Sequence, residues 1–193
     1  ARLSSSSPNL QNMPKGRLFP VRKAFVSRFK GGELVEIDYS QLEFRVAGIL
    51  ATDEVVKREV ESGFDVHAYT AKVLSDNGEP TERGAAKAST FRPLYGGTQG
   101  TTAQRTYFKE FFNKYKGIFK WHEHLQNEAI QHKLVTTATG RQFSFPDCQR
   151  NFSGTATYKT QIVNYPVQSV ATAEIVPLGV IILFNKLKEL GLQ

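Results

Sequence analysis

The sequence predicts an α+β fold, mostly helix with a few antiparallel strands. Two observations carry this. Apolar residues recur at helical spacing through most of 40–133 and again after 155. Short β-rich runs bracketed by glycines occur at 24–38 and 134–145. Taken in order, residues 1–23 are rich in Ser, Pro, Asn, Gln, Gly and Arg and read as an extended, loop-rich segment. Ala24–Phe29 and Glu33–Asp38 are strand candidates separated by Gly31-Gly32, a hairpin-like arrangement. Ser40–Leu50 reads as a helix with Leu42, Val46, Ile49 and Leu50 on one side. Thr52-Asp53-Glu54 opens a helix through about Ser62, and Asp65 caps another to about Leu74. Ser75–Pro80 is a turn, and Glu82–Phe91 is helical. Pro93 lacks the N–H that would bond the Ser89 carbonyl, which predicts a kink or break near Ser89–Leu94. Thr102–Asn113 and Lys116–Lys133 are further helices. Leu134–Thr139 and Gln142–Phe145 read as strands around Gly140-Arg141, and 155–164 and 169–190 as helices.

The chain has 193 residues, 40% hydrophobic and 22% charged, an ordinary globular composition for one domain or two small ones. The longest apolar stretch, Ile175–Phe184, contains Pro177 and by itself is too short to span a bilayer. The first residues carry no charged-then-apolar signal pattern. The single cysteine, Cys148, excludes an internal disulfide. The expectation is a cytoplasmic protein with no membrane partner. Charge is unevenly spread. Residues 1–32 carry seven bases and no acid, 33–82 twelve acids and four bases, and 83–193 fourteen bases and six acids. Two basic blocks around an acidic one suit phosphates at the ends and a metal site between. Solvated surface charge gives the same pattern without function.

Two stretches carry chemistry. In Leu34-Val35-Glu36-Ile37-Asp38-Tyr39-Ser40-Gln41-Leu42-Glu43-Phe44-Arg45, an apolar alternating run ends on the carboxylate Asp38. A carboxylate at a strand end beside backbone carbonyls suits a hard cation such as Mg²⁺, held also by substrate phosphates. In the second stretch Arg83, Lys87, Phe91 and Tyr95 lie at steps of four. On a helix each such step drifts only about 40°, so the four form one stripe. Cations would face phosphates and the Phe91 ring would stack on base or sugar. A helix with solvated cations and a partly buried aromatic edge fits the same spacing.

Asp38-Tyr39-Ser40-Gln41-Leu42-Glu43-Phe44-Arg45 resembles the first catalytic motif of family A DNA polymerases. The Arg83–Lys87–Phe91–Tyr95-Gly96 spacing resembles the second. Three further stretches agree: Arg2–Ser6 with Asn9–Pro14, Asp65-Val66-His67, and Asn164-Tyr165-Pro166-Val167-Gln168. The resemblance runs over nearly the whole chain, in the family's order. Departures are Thr90-Phe91-Arg92-Pro93 where the family has Asn-Phe-Gly, and Thr160 beside Lys159 where it has Arg. Ser169-Val170-Ala171-Thr172, where the family prefers Gly-Thr-Ala-Ala, marks a divergent member, of viral type.

The resemblance implies a helical fingers subdomain on part of an antiparallel-sheet palm. It divides the chain into palm (1–50), fingers (51–133) and a fingers-to-palm return (134–193). It implies that Asp38, with the Tyr39 carbonyl, anchors Mg²⁺, and that Tyr39, Gln41, Glu43, His67, Arg83, Lys87, Phe91 and Tyr95 hold the dNTP. Tyr95 would sit at the insertion site beside Glu43, which would narrow the space at the sugar 2′ position. Arg2, Asn9, Gln11, Asn12, Asn164 and Gln168 would contact primer–template DNA, where amides and Arg suit the minor groove. The family's third motif, which supplies a second carboxylate, is expected beyond Gln193, so the chain is expected to be an inactive fragment awaiting the rest of a polymerase. The function implied is template-directed DNA synthesis from dNTPs. Two alternatives are a single-subunit RNA polymerase, against which Glu43 and the Arg2–Asn12 stretch argue, and a non-catalytic nucleic-acid-binding module.

Overall fold

The structure, a computed structural model, describes residues 4–14 and 20–192. Packing divides the chain into two compact units, Ala1–Ser40 and Gln41–Gln193.

In the N-terminal unit the regular element among the described residues is a 3-10 helix, Val21–Ala24. The strands expected at Ala24–Phe29 and Glu33–Asp38 do not form. The turn between them does: the Gly32 N–H donates to the Phe29 carbonyl at 3.0 Å, and Gly31 takes φ +76°. The flanking apolar side chains stay in solvent, with Val26 76% and Val35 79% exposed. Alternation becomes a strand only where a ladder partner and a face to bury exist, and a lone hairpin is marginal in water. Neither is present among the described residues of this unit.

The second unit is helical, with one small sheet, as the α+β reading requires. It comprises α1 (Leu42–Leu50), α2 (Glu54–Glu61), α3 (Val66–Asp76), α4 (Arg83–Leu94), α5 (Thr102–Lys114) and α6 (Lys116–His132). Strands β1 (Leu134–Thr136) and β2 (Gln142–Ser144) then pair antiparallel, with Val135 opposite Phe143. The strands are shorter than the apolar pattern suggested, and the bonds from Phe145 N–H to Lys133 and from Thr137 N–H to Arg141 close the ladder at its two ends. Helix α7 (Lys159–Gln168) follows, then a π-helical segment (Ser169–Ile175) and α8 (Val176–Glu189).

Local chemistry explains the helix starts. The Asp53 carboxylate accepts the Val55 and Val56 N–H groups at 3.0 and 3.1 Å, capping α2. Its other oxygen accepts the Ile118 N–H at 3.1 Å and so ties down the first turn of α6. That contact requires Gly117, where a Cβ would lie 2.7 Å from Asp53 Oδ2. Thr101 and Gln104 form a capping box at α5.

One core gathers Phe44, Leu74, Leu94, Tyr107, Phe111, Tyr115, Ile118 and Val167 from α1, α3, α4, α5, α6 and α7. Its rings meet edge-on, Phe111 and Tyr115 at 4.7 Å between centroids. A second cluster of Leu125, Ala129, Val135, Phe145, Cys148, Ile162 and Val163 lies under the hairpin. Lys159–Glu189 is one continuous helix, where the sequence reading gave two with a gap. At 31 residues it is long and apolar enough to cross a membrane by length and composition, which the apolar run alone was not. Its first part is packed into both cores through Ile162, Val163 and Val167, while Leu178 and Val180–Phe184 on α8 are exposed.

His122 on α6 is buried between the Phe112 and Trp121 rings, and its Nε2 has no partner among the described residues. Burial, helped by the Lys159 charge, pushes its pKa down to about 3 against a hydrogen bond to the Leu94 backbone. The folded state therefore holds this ring neutral, whereas the unfolded chain takes up a proton near pH 6.5. Its stabilisation is complete above pH 6.5 and is lost as pH falls from 6.5 toward 3, at roughly 1.4 kcal/mol per pH unit. Urea unfolding at pH 7, 6 and 5 should show that decline, and His122→Leu should flatten it. An equal slope in both proteins would contradict a buried neutral His122.

Candidate functional site

Helix α4 carries the stripe, and it continues through Pro93 to Leu94. The break expected near Ser89–Leu94 does not occur. The proline falls in the last turn, so it forfeits one bond and leaves no further turns to disrupt. The end is closed by backbone bonds instead: Gly96 N–H donates to the Pro93 carbonyl at 2.9 Å and Gly97 N–H to the Arg92 carbonyl at 2.8 Å. Gly96 takes φ +76°, the left-handed position such a cap needs. Tyr95 is thereby fixed as the capping residue.

Along the stripe Arg83 and Lys87 are exposed, and Phe91 and Tyr95 are half-buried. The Phe91 and Tyr95 rings stack at 6.3 Å with planes 23° apart. The buried His67 ring meets Phe91 edge-on at 5.4 Å. The result is a row of two cations in solvent leading down to an aromatic floor.

At the foot of the row three candidates from separate motifs close on one another. The Tyr95 hydroxyl donates to Glu43 Oε2, and the Gln168 amide donates to Glu43 Oε1. Gln168 Nε2 also lies 3.0 Å from the Tyr95 hydroxyl. Glu43 comes from the start of α1, Tyr95 from the end of α4 and Gln168 from the end of α7. A carboxylate with both oxygens engaged is held in one orientation, as a shape-selecting group must be.

At the upper end, Arg83 Nε donates to Asp65 Oδ2 at 2.5 Å. The same carboxylate caps α3, accepting the His67 and Ala68 N–H groups at 3.0 and 3.1 Å. Arg83 foremost, then the cap bonds, hold the Asp65 carboxyl below the usual range, against the opposing effect of burial. The sequence marked Asp65 only as a cap; that it also steers Arg83 was not visible.

His67 Nδ1 lies 3.1 Å from Thr90 Oγ1. Burial foremost, and the charges of Lys87 and Arg83, push the His67 pKa down, while Asp65 works against them. Thr90, Thr70 and Tyr107 behind it were not singled out from sequence as site residues. Thr90 was noted only as a departure from the resembling motif. Lys159 was likewise noted only as a neighbour of Thr160. Its stem packs on Gly96, where a Cβ would lie 3.2 Å from Lys159 Cε, and burial lowers its pKa.

The other candidates are placed separately. Gln41 precedes α1 with φ +53°, and its amide lies 3.5 Å from the Phe64 carbonyl, outside the Glu43 cluster. Asn164 is half-buried on α7, one turn before Gln168. In the N-terminal unit Asn9 accepts the Gln11 N–H at 3.0 Å, and Gln11 and Asn12 are exposed. Asp38 and Tyr39 are also exposed there, and Arg2 lies outside the described residues. Among the described residues no three His, Cys, Asp or Glu side chains gather as a metal cage. Asp38 still fits one ligand of a Mg²⁺, which takes one or two carboxylates and completes its shell with phosphates and water.

A family model described as DNA polymerase family A matches residues 1–193. The thermostable DNA polymerase I of Thermus thermophilus is 33% identical over 206 residues, covering 98% of this chain and 24% of that protein. DNA polymerase I of Bacillus caldotenax is 33% identical over 210 residues, covering 100% of this chain and 24% of that one. Among solved structures, the POL domain of Pol1 from M. smegmatis, in complex with DNA primer-template and dNTP, superposes with a TM-score of 0.76 at 25% identity. That match covers 100% of this chain and 36% of the other. The chain thus spans about a quarter of the length of the curated relatives it matches.

Proposed function

This chain belongs to DNA polymerase family A, and on that premise we propose that it selects and holds the incoming nucleotide in template-directed DNA synthesis. The reaction joins the primer 3′-oxygen to the dNTP α-phosphorus and breaks the bond to the β-phosphate, releasing pyrophosphate. Arg83, Lys87 and His67 take the triphosphate. Phe91 and Tyr95 form the surface for the new base pair, and Glu43 screens the sugar. Tyr39 and Gln41 flank that nucleotide. Arg2, Asn9, Gln11, Asn12, Asn164 and Gln168 contact primer–template DNA. Asp38 and the Tyr39 carbonyl would hold one of two Mg²⁺ ions, which when bound offset charge on the phosphates. The proposal includes the palm, fingers and return divisions at 50 and 133 that the family resemblance implies. The setting is the cytoplasm, with no membrane role.

The closed cluster of Glu43, Tyr95 and Gln168 at the foot of the Arg83–Lys87 row carries this reading. The test is a chimera in which residues 1–193 replace the homologous segment of Bacillus caldotenax DNA polymerase I. Primer extension with Mg²⁺ should be template-directed and should favour dNTPs over rNTPs. A folded chimera that binds primer–template yet incorporates nothing would sink the proposal. Equal use of rNTPs would favour an RNA polymerase instead.

A further inference from the structure

Behind the stripe lies a chain of buried hydroxyls that fixes where the protons sit. Tyr107 on α5 is fully buried, and its hydroxyl lies 3.0 Å from Thr70 Oγ1 on α3. Thr70 Oγ1 lies 2.8 Å from the Val66 carbonyl and 2.8 Å from Thr90 Oγ1 on α4. Thr90 Oγ1 lies 3.1 Å from His67 Nδ1. Each hydroxyl has one proton. The Thr70 hydroxyl donates to the Val66 carbonyl or to the Tyr107 hydroxyl. Its one proton is spent on either of these and not on Thr90. The Thr70–Thr90 contact is then a hydrogen bond only if Thr90 donates. With its proton committed to Thr70 Oγ1 or to the Ala86 carbonyl, 3.0 Å away, Thr90 bonds His67 only by accepting from Nδ1–H.

We infer that Thr90 is a positioning residue that holds neutral His67 in its Nδ1–H tautomer, so that His67 grips a nucleotide triphosphate only by taking up a proton on Nε2. The inference deepens the nucleotide reading and rests on it. In the Nδ1–H tautomer the neutral Nε2 presents a lone pair, which repels a phosphate oxygen; the imidazolium presents N–H on both sides. Among the described residues Nε2 has no hydrogen-bond partner. The charged groups around the ring are Asp65 from α3, which favours the protonated form, and Arg83 and Lys87 from α4, which oppose it. Tyr107 from α5 acts through Thr70. Without ligand, burial and the two cations keep the ring neutral. A triphosphate placed beside Arg83 and Lys87 offsets those cations and favours protonation. Nucleotide binding and proton uptake are therefore linked, and affinity falls as pH rises through the titration of the bound form, by up to about tenfold per pH unit.

The test uses the 193-residue chain itself. Histidine ¹⁵N spectra at pH 7.5 should report the Nδ1–H tautomer for His67; an Nε2–H tautomer overturns the inference without any variant. Calorimetry with dTTP and Mg²⁺ in two buffers of different ionisation enthalpy should show proton uptake on binding. That uptake and the pH slope should vanish in His67→Gln. They should also weaken in Thr90→Val, whose freed ring can offer a neutral Nε2–H, and be retained in Thr90→Ser. Binding without proton uptake, or an unchanged slope in a folded Thr90→Val, overturns the inference and leaves the nucleotide reading standing. No dTTP binding at any pH overturns that reading and this inference with it.

Discussion

Asp38→Ala, introduced into the chimera, should lower nucleotide incorporation by about three orders of magnitude, the scale of the several kcal/mol of charge stabilisation a metal supplies. Binding of primer–template should stay near the level of the unsubstituted chimera. The two readouts separate because duplex affinity comes from cations and amides on phosphates and groove edges, whereas the carboxylate acts through Mg²⁺. Asp38 is exposed at the end of an apolar run and lies next to Tyr39, whose carbonyl is the second proposed ligand. Asp38→Asn keeps the shape and removes the charge, so it should fall nearly as far as Asp38→Ala. Single-turnover incorporation and duplex titration on the same preparations make the measurement. Incorporation within tenfold of the unsubstituted chimera would sink the metal assignment.

Glu43→Ala should erode the preference for deoxynucleotides by about 10–200-fold, the range one lost packing or polar contact commands in discrimination. Glu43 is clamped through both oxygens by Tyr95 and Gln168, so it cannot swing away from an added 2′-hydroxyl. Removing it opens that space and also leaves two donors without their shared acceptor, so dNTP use should fall too, by less than rNTP use rises in relative terms. Glu43→Gln keeps the volume and one acceptor and should retain most of the discrimination. The check is the ratio of kcat/KM for dATP and ATP. A ratio unmoved by Glu43→Ala would mean the cluster braces the helices and does not read the sugar.

The parts of this account that could be read from the chain are those set by local rules. Asp53 and Asp65 each sit just before a helical run, and both accept the N–H groups that such a position leaves unbonded. The stripe on α4 follows from a period of four and needs no tertiary information. The resemblance implied Tyr95 beside Glu43; that Gln168 closes on the same carboxylate depends on how α1, α4 and α7 pack, which no local pattern encodes. Errors came where a local rule needed a partner or a position. Val35 and Ile37 alternate like a strand but have none beside them among the described residues of their unit. Pro93 breaks a helix in its interior and is tolerated one residue from its end. The hydroxyl chain behind His67 escaped notice because Thr70, Thr90 and Tyr107 are ordinary residues until three helices bring their oxygens within 3.0 Å of one another.

The most direct measurement is an NMR titration of the isotope-labelled 193-residue chain with dATP and Mg²⁺, following backbone and side-chain resonances along α4. The account requires the largest shifts at Arg83, Lys87 and Phe91, with His67 and the Glu43–Tyr95–Gln168 cluster moving in the same titration. Shifts confined to the apolar cavity between α1 and α2, at Gly48, Ile49, Val56 and Val60, with α4 unchanged, would contradict it.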